Sequence, residues 1–256
     1  MPRKLTAARV TQFGQASAKA ELAVRIASAR TRLGFQLVVG ALLLITAAWI
    51  FGAIAEDVVT GDPLTLLDER VAQWLHLHAS AGMTRWMLLV SAIHSTVAMS
   101  AYASIAGLVA IRRRQWRRLT TLAVCMGGGL LLNLLMKLAF HRPRPHFTDP
   151  ILTLASYSFP SGHVAASTIF YTLCIAWVFG HTRALRWRLL AIAAAALGIL
   201  LVAFSRMYLG VHYLSDVGAA FAEGIAWVSL CLSAIAAFSR ETSAAPLAPD
   251  TRAAPS

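Results

Sequence analysis

The chain has 256 residues, of which 58% are hydrophobic and 13% charged, and its formal net charge is +12. That balance excludes an ordinary soluble domain, which is less apolar and carries about twice the charge. The cations are gathered into short stretches between apolar runs, the pattern that orients a membrane protein, and not along one polar face of the kind that grips nucleic acid.

In chain order, residues 1–33 set Arg3, Lys4, Arg9, Lys19, Arg25, Arg30 and Arg32 against the single acid Glu21, which reads as a basic cytoplasmic arm with the composition of a helix lying on anionic lipid. Residues 34–55 are long enough to span the roughly 30 Å hydrocarbon core. They end in Ala53-Ile54-Ala55, the small-residue form of a signal cleavage site, but the basic segment and the apolar run are both too long for a signal peptide. Residues 56–85 carry more acids (Glu56, Asp57, Asp62, Asp68, Glu69) than bases (Arg70, Arg85) and belong on the opposite side. Within them Asp62-Pro63 is a helix start, and Leu64, Leu67, Val71, Trp74 and Leu75 follow at helical spacing, predicting a short helix on the outer interface.

Residues 86–111 return inward to Arg112, Arg113, Arg114, Arg117 and Arg118. Residues 119–140 go out, with Gly127-Gly128-Gly129 admitting a neighbouring helix at close range. A polar, Pro-rich outer loop covers 141–162. Residues 164–179 lead in to Arg183, Arg186 and Arg188, 189–204 lead out and 214–238 lead in, the fourth and fifth runs being short enough to borrow flanking residues. The fold class is therefore all-α and polytopic, with six transmembrane helices, an outer interfacial helix, a membrane domain over 34–238 and a disordered cytoplasmic tail over 239–256 marked by Pro246, Pro249 and Pro255. Cys125, Cys174 and Cys231 sit inside apolar runs without paired spacing, which predicts neither disulfide nor zinc site.

This topology brings three polar stretches to the outer face. In Ser205–Asp216, His212 and Asp216 are four apart, a spacing that on a helix lets a carboxylate hold one imidazole nitrogen protonated and leave the other free to attack. Alone, that stretch reads equally as a His-Asp pair capping a helix at the membrane surface. Lys137 ends the third span, and Arg144 lies between Pro143 and Pro145. Pro160-Ser161-Gly162-His163 opens the fourth span, where free backbone N–H groups favour an anion and glycine lets it approach. Lys137, Arg144 and Arg206 with a helix N-terminus make a phosphate site, since Arg offers a planar fork and Lys a point charge to the same tetrahedral oxygens.

Lys137-x6-Arg144-Pro145, Pro160-Ser161-Gly162-His163 and Ser205-Arg206-x5-His212-x3-Asp216 resemble, without a departure, the three signature motifs of the type-2 phosphatidic acid phosphatase and vanadium haloperoxidase superfamily. The resemblance implies that His212 attacks phosphorus to form a phosphohistidine, Asp216 orients it, and His163 protonates the leaving group. Lys137, Arg144, Ser161, Gly162 and Arg206 would hold the phosphoryl oxygens. It implies no cofactor and no metal, as in the phosphatase members, and a lipid phosphate as substrate: phosphatidic acid, phosphatidylglycerophosphate or undecaprenyl diphosphate, reached in the membrane with no nucleic acid partner. A lipid phosphotransferase and a non-catalytic lipid-binding or transport protein are the alternatives on this scaffold, the latter opposed by the intact His163, His212 and Asp216. The haloperoxidase members are soluble as a rule, unlike this chain.

Other polar residues are assigned blander roles. Arg142 is read as a headgroup or rim residue, and His76, His78, His141 and His146 as solvated loop or interface residues. Glu223, Asn133 and His94 fall inside spans, where ionisable groups signal function by default, but hydrogen bonding between packed helices accounts for them more simply.

Overall fold

In hydrocarbon every backbone N–H and C=O must find a partner within the protein, so the apolar runs can only become helices. The computed structural model describes the backbone of residues 7–244 and the side chains of residue 31 and residues 33–238. Among these residues the chain is all-α: α1 (Ala7–Thr60), α2 (Pro63–Leu77), α3 (Ala81–Ile93), α4 (Thr96–Arg112), α5 (Trp116–Phe140), α6 (Gly162–His181), α7 (Leu185–Tyr208) and α8 (Leu214–Ala244). Among the described residues five helices are long and apolar enough to cross a membrane by themselves, and α3 with α4, bent by 40° at their break, are so only when taken together, which brings the number to as many as six.

Three boundaries differ from the sequence expectation. The first span, Leu33–Thr60, continues without a break from the helical part of the basic arm, whose cationic side chains lie outside the described residues. The second span is not one helix over 86–111 but begins at Ala81 and breaks at His94-Ser95. The cause is local. His94 caps α3, its Nδ1 bonding back to the Val90 carbonyl at 2.9 Å, while Ser95 Oγ accepts from Ala98 N at 3.1 Å and starts α4 afresh. At the far end α8 runs to Ala244, into the stretch read as tail, and residues 245–256 lie outside the described residues. The fourth and fifth spans do extend into their flanks, at 162–181 and 185–208.

Helix α2 is present, and its inward face mixes apolar residues, Leu75 and Val71 among them, with a buried acid. Leu67 and Trp74 are 45% and 59% exposed, whereas Asp68 is 1% exposed and shares the buried face with Ala72 and Leu75. A buried acid there needs a cationic partner, supplied by the loop after α5. In the bundle interior Met99, Leu122, Cys125, Ile169, Leu173 and Val228 form one cluster. The close approach expected at the triple glycine is made by Trp227 of α8, whose ring lies where a side chain at Gly128 would stand and whose Nε1 donates to the Cys125 carbonyl at 2.9 Å, and by Ile169 of α6, which fills that place at Gly129. Gly127 faces away. Leu42, Ile45, Trp49, Val97 and Leu200 are among the large apolar side chains left exposed, as a surface bathed in lipid requires.

Candidate active site

At one end of the bundle the C-terminus of α5, the N-terminus of α6, the C-terminus of α7 and the start of α8 meet, and the loop 141–161 folds over them. His212 lies in the turn between α7 and α8 and is 2% exposed. Its Nδ1–H donates to Asp216 Oδ2 at 3.3 Å, which leaves Nε2 as an acceptor, and Arg144 Nη1 donates to that nitrogen at 3.3 Å. Asp216 Oδ2 also accepts the Tyr213 N–H at 2.9 Å, so the short turn entering α8 fixes the carboxylate to the backbone beside the imidazole. Burial, resisted by Asp216 and reinforced by Arg144 and Arg206, pushes the His212 pKa down to about 3.

The cations ring this imidazole. Arg144 spreads its guanidinium over the Ser156 and Tyr157 carbonyls, Ser156 Oγ, the Val211 carbonyl and His212 Nε2, a set that engages all five of its N–H donors. Lys137 Nζ donates to the Tyr157 carbonyl at 2.9 Å and the Ser158 carbonyl at 3.4 Å. Arg206 is 2% exposed, with Nη1 donating to Ser91 Oγ at 2.5 Å and Nε left without a partner. Ser161 precedes α6, gives no side-chain cap, and its buried Oγ is likewise unpartnered. Its N–H donates to the Asp216 carbonyl at 3.1 Å, tying the start of α6 to α8. Gly162 packs so closely on α5 that a Cβ there would stand 3.2 Å from Asn133 Oδ1. His163, half-buried in the first turn of α6, is within electrostatic reach of Arg206, His212, Arg144 and Lys137. All eight residues singled out in the sequence, Lys137, Arg144, Ser161, Gly162, His163, Arg206, His212 and Asp216, therefore come together at this end of the bundle.

Arg142 is where sequence reasoning fell short. It is not a rim residue: its side chain is 11% exposed and bonds to Asp216 Oδ1 at 2.6 Å and Asp68 Oδ2 at 2.8 Å. Burial works against its charge, but Asp216 and Asp68 more than offset this and raise its pKa. No signal along the chain marks this pairing, since Asp68 lies 74 residues away and its burial is set by the packing of α2. His76 also differs from its solvated reading, stacking on Phe147 at 4.1 Å and bonding to Asp149 at 2.9 Å. His78, His141 and His146 are exposed. Deeper in the bundle, Asn133 bonds to Glu223 and His94 Nε2 to the Tyr171 hydroxyl, each at 2.9 Å, which are interhelical links of the kind expected.

The PAP2 superfamily profile matches residues 118–240. Phosphatidylglycerophosphatase B of Bacillus subtilis (strain 168) is 35% identical over 115 residues, a match that takes in 44% of this chain and 55% of the relative, so the chain spans about half the length of the curated relative it matches. The crystal structure of a transmembrane PAP2 type phosphatidylglycerolphosphate phosphatase from Bacillus subtilis superposes with a TM-score of 0.68 at 25% identity, covering 77% of this chain and 96% of that one. That of Aquifex aeolicus LpxE shares the fold, with a TM-score of 0.52 at 19% identity over 65% of this chain and 94% of the other. Residues 118–240 thus carry the PAP2 superfamily pattern, within a multi-pass membrane protein that is similar to phosphatidylglycerophosphatase B.

Proposed function

We propose that the chain is a metal-independent lipid phosphatase that hydrolyses phosphate monoesters or diphosphates of lipids through a phosphohistidine at His212. The observation that carries this reading is the pair of buried, unpartnered donors, Ser161 Oγ and Arg206 Nε, at a site already lined by Lys137 and Arg144. A buried donor left without a partner costs roughly 1–3 kcal/mol, and a phosphoryl group would engage both. Lys137, Arg144, Arg206, Ser161 Oγ and the free N–H groups at Gly162 hold its oxygens and stabilise the charge that spreads over them during transfer. Arg144 Nη1 exchanges His212 Nε2 for a phosphoryl oxygen as substrate arrives, which frees the nitrogen to attack.

Nε2 then forms a bond to phosphorus as the bond from phosphorus to the lipid oxygen breaks, and His163 gives its proton to that oxygen. Asp216 holds the Nδ1 proton and stabilises the charged ring. In the second half His163 takes a proton from water, the resulting hydroxide attacks phosphorus, the nitrogen–phosphorus bond breaks, and phosphate leaves with both histidines restored. The basic stretches 112–118 and 183–188 lie at the opposite ends of their spans from this site, which supports a cell (inner) membrane protein with cytoplasmic termini and extracytoplasmic chemistry.

Phosphatidylglycerophosphate heads the candidate substrates because of the relatives' activity, followed by phosphatidic acid and undecaprenyl diphosphate. The test is phosphate release by the purified protein in detergent from each lipid, with and without EDTA. Release from at least one lipid, undiminished by EDTA, is expected. No release from any sinks the hydrolase reading, and loss on chelation restored by magnesium sinks the metal-free mechanism.

A further inference from the structure

The two oxygens of Asp216 keep different company. Oδ2 faces His212 and the Tyr213 N–H, while Oδ1 is taken by Arg142 Nη1 at 2.6 Å. Arg142 is itself pinned: Nη1 also donates to Ser215 Oγ at 2.6 Å, Nη2 donates to Asp68 Oδ2 at 2.8 Å, and the Tyr213 ring lies 4.3 Å from its guanidinium carbon. Asp68 closes the ring by accepting the Ser215 N–H at 2.9 Å on Oδ1 and the Ser215 hydroxyl on Oδ2. Three elements far apart in sequence, α2, the loop after α5 and the start of α8, thus converge on the far side of Asp216 from the nucleophile. None of the three signature motifs includes Asp68, Arg142 or Ser215.

We propose that Arg142, anchored by Asp68, is a positioning residue for the reaction: it fixes Asp216 so that one oxygen always faces His212, and it draws on the carboxylate's charge so that the imidazole meets the substrate in its neutral form. The proposal rests on the hydrolase reading for its kinetic consequences and on the geometry alone for the placement. A carboxylate held at one oxygen only can rotate and lose its bond to the imidazole; a guanidinium pinned by a second carboxylate removes that freedom. The charge effect has a definite sign. His212 is faced by Arg144 from the loop after α5, by His163 from α6, by Arg206 from α7 and by Asp216 from α8, with Lys137 of α5 acting on His163 and Asp68 of α2 reaching the site only through Arg142. Removing Arg142 leaves Asp216 uncompensated, so it favours a proton on His212 more strongly and the nucleophile is lost at a higher pH.

The experiment compares the wild type with Arg142→Gln, Arg142→Lys and Asp68→Asn, each checked for a single species in detergent. Two readouts are taken against pH: kcat and KM on a lipid phosphate, and the rate of carbethoxylation of His212 by diethyl pyrocarbonate, followed by mass spectrometry of its peptide. Arg142→Gln is expected to lower kcat by about 10- to 100-fold with KM little changed and to move the acid limb and the carbethoxylation midpoint up by about one pH unit. Arg142→Lys should keep the wild-type midpoint, since the charge remains, and lose part of kcat, since the fork is gone. Asp68→Asn should lower kcat with no upward movement, because Arg142 then acts on Asp216 alone. An unmoved midpoint in Arg142→Gln, a loss confined to KM, or an upward movement in Asp68→Asn overturns the proposal. If Arg142→Gln does not fold, undiminished kcat in Arg142→Lys overturns it and the expected partial loss with an unmoved midpoint supports it. A wild type that hydrolyses no lipid phosphate defeats the functional reading, and the carbethoxylation midpoints still decide the placement.

Discussion

Asn133 Nδ2 donates a 2.9 Å hydrogen bond to Glu223 Oε2, joining α5 to α8 one turn below Lys137. Glu223 is 5% exposed and its other oxygen has no partner, so Asn133 carries most of what satisfies this carboxyl. Asn133→Leu should destabilise the protein by roughly 1–3 kcal/mol, because it strands a buried polar group, whereas Asn133→Leu with Glu223→Leu should recover much of the loss by removing both partners. Thermal unfolding of the single and double variants in one detergent checks this. A double variant less stable than either single would show that the pair has a partner beyond itself.

The division of labour between the histidines gives a second prediction. In the proposed mechanism His212 attacks in every turnover, so His212→Ala should be inactive on all substrates. The need for the His163 proton depends on how well the departing oxygen bears charge, and general acid catalysis contributes about 10²–10⁴-fold when the leaving group is poor. His163→Ala should therefore lose most on a lipid monoester, less on a lipid diphosphate and least on nitrophenyl phosphate. Rates for both variants on the three substrates test it. An equal fractional loss on all three would mean that His163 holds phosphate or the start of α6 rather than supplying a proton.

The pH dependence of the wild type follows from the burial of His212. Its pKa is pushed from the ordinary 6.5 to about 3, by burial foremost, against the pull of Asp216. In the proposed mechanism the attacking form is the neutral one, so the acid limb due to His212 should lie near pH 3 rather than near 6.5. The linked effect on stability has the same sign. Between the two values the unfolded chain binds a proton that the folded chain does not, so this histidine favours folding fully above 6.5 and progressively less as the pH falls towards 3. Initial rates at saturating and limiting substrate, with a parallel unfolding series, would detect either limb. A limb at 6.5 matched by a carbethoxylation midpoint of His212 at the same pH would show that water reaches the imidazole.

Thr148 is exposed in the loop over the site. In Thr148→Cys an impermeant maleimide added to intact cells should block the thiol, since the basic stretches 112–118 and 183–188 at the opposite ends of the spans predict that this loop lies outside. Cys125, Cys174 and Cys231 lie within spans α5, α6 and α8 and provide the unlabelled background. Protection until lysis would invert the orientation.

Much of this protein is legible along the chain, because in lipid a run of apolar residues has no alternative to a helix, and because phosphate chemistry needs particular side chains at short, local spacing. The spans, the basic stretches between them and the eight clustered residues from Lys137 to Asp216 were readable for those reasons. The break at His94-Ser95 was harder, since two capping bonds interrupt a hydropathy pattern that does not change across them. Arg142 and Asp68 were out of reach. Seventy-four residues separate Arg142 from each of its two carboxylate partners, and Asp68 reads as one more acid on an outer helix until that helix is seen to turn its acid inward. Spacing reports which residue types lie near one another on a single element; only the packing of α2, the loop after α5 and α8 decides that an arginine beside the motif stands behind the nucleophile's carboxylate instead of at the rim.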